Sequence, residues 1–163
     1  MQVLGYRRNL HALPAFVTGV ELDELLRSAD YVVLACPLTS ETRGLLDARR
    51  IGLLKKHAFV VNVSRGAVLD EPALVAALRE RRIGGAALDV YLTQPLPRDS
   101  ELFALDNVIL TTHLAGITAE SMQAMSRVAC EETLRILAGD KPVNFCNPES
   151  WEKSRARRKQ LGL

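Results

Sequence analysis

Three short stretches of this 163-residue chain carry side chains equipped for chemistry: Asn62-Val63-Ser64-Arg65-Gly66, Leu88-Asp89-Val90 and Thr112-His113-Leu114-Ala115-Gly116. Each sets a polar residue just beyond an apolar run of strand length. Were those strands parallel neighbours, an arginine, an aspartate and a histidine would meet outside their carboxyl ends. Open α/β sheets bind their ligands there. The trio suits reduction of a carbonyl that carries a carboxylate: a cation for the carboxylate, an acceptor for an amide, and an acid/base group. One feature such a site depends on is not among the 163 residues. The ten glycines include no pair at the spacing G-x-G, so no dinucleotide phosphate loop can be read.

Apolar runs of strand length alternate with helical patterns. Strands are expected near residues 2–6, 31–35, 58–62, 85–89 and 108–110, with a Pro14-containing loop after the first. Leu22, Leu25 and Leu26 have helical spacing, and Asp47 can cap a short helix ending near Leu54. Asp70-Glu71-Pro72 supplies an N-cap, an acid and an early proline to a helix whose buried stripe is Leu74, Ala77 and Leu78. Residues 118–137 form the longest helical pattern, with Met122, Met125, Val128, Cys130, Leu134 and Leu137 among its apolar positions. This alternation argues for a parallel sheet covered on both faces.

The composition, 48% apolar and 25% charged, is that of a soluble globular domain, and the length allows one real core. A formal charge of +2 is too small to argue for nucleic acid or a membrane surface. The basic run at 153–159 reads as a solvated tail. No apolar run has the length of a membrane span, and the start does not resemble a signal peptide. Cys36, Cys130 and Cys146 make no paired framework, so a cytoplasmic setting is expected; Cys36 and Cys130 read as packed thiols. No metal site is expected.

Taken together, Cys36-Pro-Leu-Thr-Ser-Glu-Thr42, Asn62 to Gly66 with Val68-Leu-Asp-Glu71, Ala87-Leu-Asp89-Val-Tyr91, Gln94-Pro95-Leu-Pro97 and Asn107-Val-Ile-Leu-Thr-Thr-His113 resemble a known pattern. It is that of the nucleotide-binding half of the D-isomer-specific 2-hydroxyacid dehydrogenases, and the match runs from Gln2 to about Pro148. The resemblance implies an incomplete Rossmann-type α/β fold, a doubly wound parallel sheet lacking its first strand and glycine-rich loop. Residues 1–117 would be the partial NAD(P)-binding domain, 118–148 a return helix and segment toward a substrate domain, and 149–163 a basic tail. It implies hydride transfer between a nicotinamide and small 2-hydroxy or 2-oxo acids, in a parent enzyme that is a homodimer with no nucleic-acid or membrane partner. Arg65 would hold the substrate carboxylate and polarise its carbonyl. Asp89 would accept a hydrogen bond from the nicotinamide carboxamide, and His113 would be the acid/base. Cys36, Pro37 and Thr42 would lie beneath the adenosine, with Val63, Ser64 and Gly116 also on the cofactor.

The chain departs from that pattern in three places. Gln94 stands where the family usually has a glutamate paired with the histidine; glutamine orients the ring but supplies no charge. Formate dehydrogenases resemble the chain at this position, so oxidation of that type is an alternative. Arg7 and Arg8 stand where NAD-preferring members place an acid near the ribose, which points to NADP rather than NAD. The third departure is the absent glycine loop, which makes a truncated frame or fragment the expectation, with a non-catalytic remnant of the same fold as the rival. The strands near 2–6 and 58–62 are then expected to lose an inner neighbour and to pair directly, take a partner or stay open.

Overall fold

A computed structural model describes residues 1–7 and 13–162. The chain forms two compact units, Met1–Ala115 and Gly116–Leu163. In the first unit every strand pairing is parallel. Strands β1 (Val3–Gly5) and β2 (Val17–Gly19) form one small sheet, and β3 (Tyr31–Leu34), β4 (Phe59–Asn62), β5 (Gly85–Leu88) and β6 (Val108–Leu110) form another in that order. Helices α1 (Leu22–Ser28), α2 (Ala48–Ile51) and α3 (Glu71–Arg79) lie in the connections.

Period-2 alternation sorts the strands' side chains. Val32, Leu34, Val60, Asn62, Ala86 and Leu88 are buried, and they share one core with Leu26 of α1, Ile51 of α2 and Leu74, Ala77 and Leu78 of α3. Each fully buried leucine contributes about 1.5–3 kcal/mol. Tyr31, Val33, Phe59 and Ile109 point the other way and are exposed, whereas α1, α2 and α3 all feed the one core.

The helix starts follow from their caps. Asp47 accepts from the Arg50 amide and Asp70 from the Ala73 amide, with Pro72 in the first turn of α3. Asp23 of α1 ties α1 to α2 through Arg49 (2.7 Å) and Arg50 (3.3 Å). The Arg49 bond foremost lowers the Asp23 carboxyl to a pKa of about 2.

Two sequence expectations are corrected here. The segment after Pro14 contains β2, a strand of only three residues, Val-Thr-Gly, too short for a strand period to show. Missing it shifts the strand count by one. The strand at 58–62 therefore keeps both neighbours, β3 and β5, and does not pair with β1. Among the described residues the strands paired on one side only are β1, β2, β3 and β6.

In the second unit, Thr118 and Ser121 form a reciprocal capping box that opens α4 (Ala119–Leu137). The basic run lies in a largely exposed helix, α5 (Trp151–Gln160). Its Arg158 donates to the carbonyls of Ile136 (2.6 Å) and Leu137 (3.0 Å) in the last turn of α4, where a cation is favoured. Cys130 is exposed on α4 rather than packed, and Cys36 is half-buried. No described helix is long and apolar enough to cross a membrane.

Candidate active site

The register brings the chemistry to one edge. Leu34, Asn62, Leu88 and Leu110 lie level across β3 to β6, so the chain leaves β4, β5 and β6 at Val63, Asp89 and Thr111 side by side. The Asp89 amide donates to the Asn62 carbonyl and the Thr111 amide to Leu88, which extends the ladder past the strand ends.

Asn62 shapes the first turn. Fully buried, it accepts from the amide and hydroxyl of Ser64 (3.1 and 3.0 Å) and donates to the Arg65 carbonyl (3.1 Å). Ser64 is thereby spent on the turn. Arg65 follows in extended backbone, exposed, with Nη1 donating to the Ser64 carbonyl at 2.7 Å. Among the described residues no ion pair engages it. Gly66 comes next because nothing larger fits: a Cβ there would lie 2.0 Å from the Tyr91 carbonyl carbon and oxygen. The Arg65 turn and the 91–94 loop thus touch through a glycine. Glu71 fixes that loop from below by accepting from the Leu92 amide at 2.8 Å. The Tyr91 hydroxyl reaches the Leu88 and Thr111 carbonyls (3.1 and 2.5 Å), and burial foremost pushes its phenol up.

Asp89 is buried, yet it sits in a ring of donors. Oδ1 accepts from the Thr111 hydroxyl (2.5 Å) and the Leu114 amide (2.9 Å), and Oδ2 from the Ala115 amide (2.9 Å). Burial pushes the carboxyl up, but these bonds and the nearby His113 outweigh it and hold it below the usual carboxylate range. His113 has left-handed backbone, φ 61°, which costs a side-chain-bearing residue about 1–3 kcal/mol and persists where the surroundings enforce it. Its exposed ring meets Gln94, Nδ1 to Oε1 at 3.1 Å. An amide oxygen only accepts, so Nδ1 carries the proton in this bond and Nε2 is left to exchange one.

Val63, Asp89, Thr111, Leu114 and Ala115 line a groove of about 280 Å³ whose floor is the apolar face of β4 to β6. A wall of Val, Ala, Leu and Ile with a single carboxylate suits a flat heteroaromatic ring that bears an amide. The other expected cofactor residues are placed differently. Cys36, Pro37 and Thr42 belong to a separate turn after β3, closed by the Thr42 hydroxyl donating to the Pro37 carbonyl at 2.6 Å. Arg7 follows β1, and Arg8 lies outside the described residues. Gly116 opens the second unit, where its carbonyl accepts from the Ser121 hydroxyl.

Residues 1–115 match the family described as D-isomer specific 2-hydroxyacid dehydrogenase, NAD binding domain. The chain belongs to this family. Glyoxylate reductase of Pyrococcus furiosus is 38% identical over 152 residues, which are 91% of this chain and 45% of the relative. The crystal structure of the TT0316 protein of Thermus thermophilus superposes with a TM-score of 0.82 at 40% identity, over 88% of this chain and 45% of that one. A D-isomer specific 2-hydroxyacid dehydrogenase of Xanthobacter autotrophicus, in complex with NADPH and MES, gives 0.78 at 40% identity over 92% and 62%. The chain thus spans about half the length of the proteins it matches.

Of the residues singled out from the sequence, Val63 and Asp89 line the groove, and the motifs pass over the residues that hold its rim together. Asn62, Glu71, Tyr91 and Thr111 lie inside the motifs, and only their hydrogen bonds reveal what they hold. The signal available earlier was an asparagine at a buried strand end, a position that polar side chains occupy only when paired.

Proposed function

We propose that this chain is the cofactor-facing part of an NAD(P)-dependent dehydrogenase acting on small 2-oxo or 2-hydroxy acids. The observation that carries the reading is the arrival of Arg65, Asp89 and His113 on the carboxyl side of β4, β5 and β6, with the His113 ring already oriented by Gln94. The nicotinamide, when bound, supplies or accepts the hydride. Arg65 then pairs its planar fork with the acid's carboxylate and draws the neighbouring carbonyl into line. Nε2 of His113 delivers the proton to the carbonyl oxygen in reduction and takes it back in oxidation, a contribution of roughly 10²–10⁴-fold for such groups. Of the four lone pairs of the Asp89 carboxylate, three are occupied; the one left on Oδ2 is open to a carboxamide N–H.

Arg7, together with Arg8 beside it, supports NADPH over NADH, since arginine accommodates a 2′-phosphate. The uncharged Gln94 favours one second reading, oxidation of formate, in which no proton need be added to a carbonyl oxygen. By themselves the 163 residues offer no G-x-G turn to a pyrophosphate, so the chain alone is expected to bind dinucleotide weakly and to turn nothing over. The test is a graft in which this chain replaces the matched region of the Pyrococcus furiosus glyoxylate reductase. Calorimetric titration should show NADPH binding at least tenfold more tightly than NADH, with Arg7→Asp erasing the difference. Equal affinities in the unaltered graft refute the NADP preference, and no binding of either cofactor refutes the reading.

A further inference from the structure

Asp89 makes more bonds to the chain than a cofactor contact requires. It lies 22 to 26 residues before the three groups it binds, and all three flank His113: the Thr111 hydroxyl on one side, the Leu114 and Ala115 amides on the other. The two amides follow a residue in left-handed backbone. Successive N–H groups after such a residue converge on one point and form a concave anion site. Here the anion is built in.

We propose that Asp89 is the positioning residue for His113: its carboxylate fills the amide concavity behind the histidine and so holds the left-handed turn that brings the imidazole onto Gln94. The turn needs such a hold. Left-handed backbone is disfavoured for any residue with a Cβ, and residues 111–116 are exposed and form no regular structure that would enforce it. The hold also needs both carboxylate oxygens, because Leu114 and Ala115 donate to different ones. An asparagine in this place would turn an NH2 group toward one of the two amides and leave it without an acceptor. The Thr111 hydroxyl shares Oδ1 with Leu114, so it steadies the carboxylate's rotamer, while Tyr91 holds the Thr111 carbonyl. One carboxylate thereby serves two directions, three lone pairs inward to the acid/base loop and one outward to the groove.

The inference rests on the dehydrogenase reading for what His113 does, but its test does not use turnover. In the 163-residue chain, amide hydrogen exchange is followed residue by residue by NMR, together with the ¹⁵N shifts of the His113 ring. The Leu114 and Ala115 amides, although on exposed residues, should exchange at least about 100-fold more slowly than in a free peptide. Asp89→Asn should accelerate both by about tenfold or more and return the ring to the free-imidazole tautomer balance, with Val60 and Val61 in β4 unchanged. Thr111→Val, which leaves both amides paired, should change them by less than about threefold. Protection that survives Asp89→Asn at Leu114 and Ala115 overturns the proposal. Should that variant lose protection throughout, the unaltered chain decides: free-peptide exchange at the two amides overturns it, and slow exchange there that Thr111→Val alters by less than about threefold supports it. A graft that binds no cofactor would sink the dehydrogenase reading and leave this exchange pattern intact, so the two failures are distinct.

Discussion

Gly66→Ala tests whether the two loops that carry Arg65 and Gln94 are held together as described. The added Cβ would lie 2.0 Å from the Tyr91 carbonyl carbon and oxygen and 2.5 Å from the Leu92 nitrogen. Ordinary carbon contacts are about 3.5–4.0 Å, so the Tyr91–Leu92 peptide must retreat by roughly 1.5 Å. These atoms are backbone, and no rotamer change relieves them. Retreat also pulls the Leu92 amide off Glu71, at present 2.8 Å away. Overpacking costs about 1–3 kcal/mol, and a hydrogen bond to a charged group adds about 1.5–3 kcal/mol when lost. A net destabilisation of about 3 kcal/mol is expected, against a total of roughly 5–15 kcal/mol for a domain. In urea, followed by circular dichroism, the midpoint should fall by about 1–2 M with the slope unchanged. Gly116→Ala is the control, since no atom lies within 4 Å of its Cβ position; it should be neutral or slightly stabilising. A Gly66→Ala midpoint within experimental error of the parent would refute the reasoning.

Three further outcomes follow from the same contacts. Asp23 titrates lower in the folded chain than in the unfolded one, about 2 against 3.8, so its ties to Arg49 and Arg50 stabilise fully above pH 4 and are lost as pH falls toward 2. Asp23→Asn should therefore lower the urea midpoint at pH 7 and converge on the parent near pH 2; a gap that persists at pH 2 counts against the pairing. Asn62→Ala strips partners from the buried Ser64 amide and hydroxyl and should cost about 2 kcal/mol in the same assay, where a loss near zero would deny the turn its organiser. In the grafted enzyme, Gln94→Glu sets a carboxylate on the His113 ring and should carry glyoxylate reduction to higher pH, whereas superimposable pH–rate profiles would deny the contact any bearing on proton transfer.

The parts of this molecule legible in its sequence are those where local pattern and tertiary role coincide. The continuous apolar runs at 31–34 and 59–61 announced strands, and Asp47 and Asp70 announced helix starts because a cap is chosen by its own backbone. Val17–Gly19 announced nothing: it is a strand because β1 lies beside it, and misplacing it moved the open edge from β3 to β4. The basic run after Trp151 is largely exposed, as its charge suggests, but its helix and the two carbonyls at the end of α4 that Arg158 reaches were not legible. At the site, the motifs named Arg65, Asp89 and His113 but not the left-handed backbone of His113 or the bonds that enforce it. Those depend on residues more than twenty positions apart, which no local spacing encodes.

The central claim is that Arg65 and His113 of this chain, brought to one sheet edge, perform carbonyl reduction next to a bound nicotinamide. Its most direct test is the rate of NADPH oxidation by the grafted enzyme with glyoxylate as acceptor. The account predicts turnover in the graft, a loss of roughly 10²–10⁴-fold in kcat for His113→Gln, and a raised KM with lowered kcat for Arg65→Lys. A graft that folds and binds NADPH but leaves it unoxidised, or one whose His113→Gln variant keeps its kcat, would contradict it.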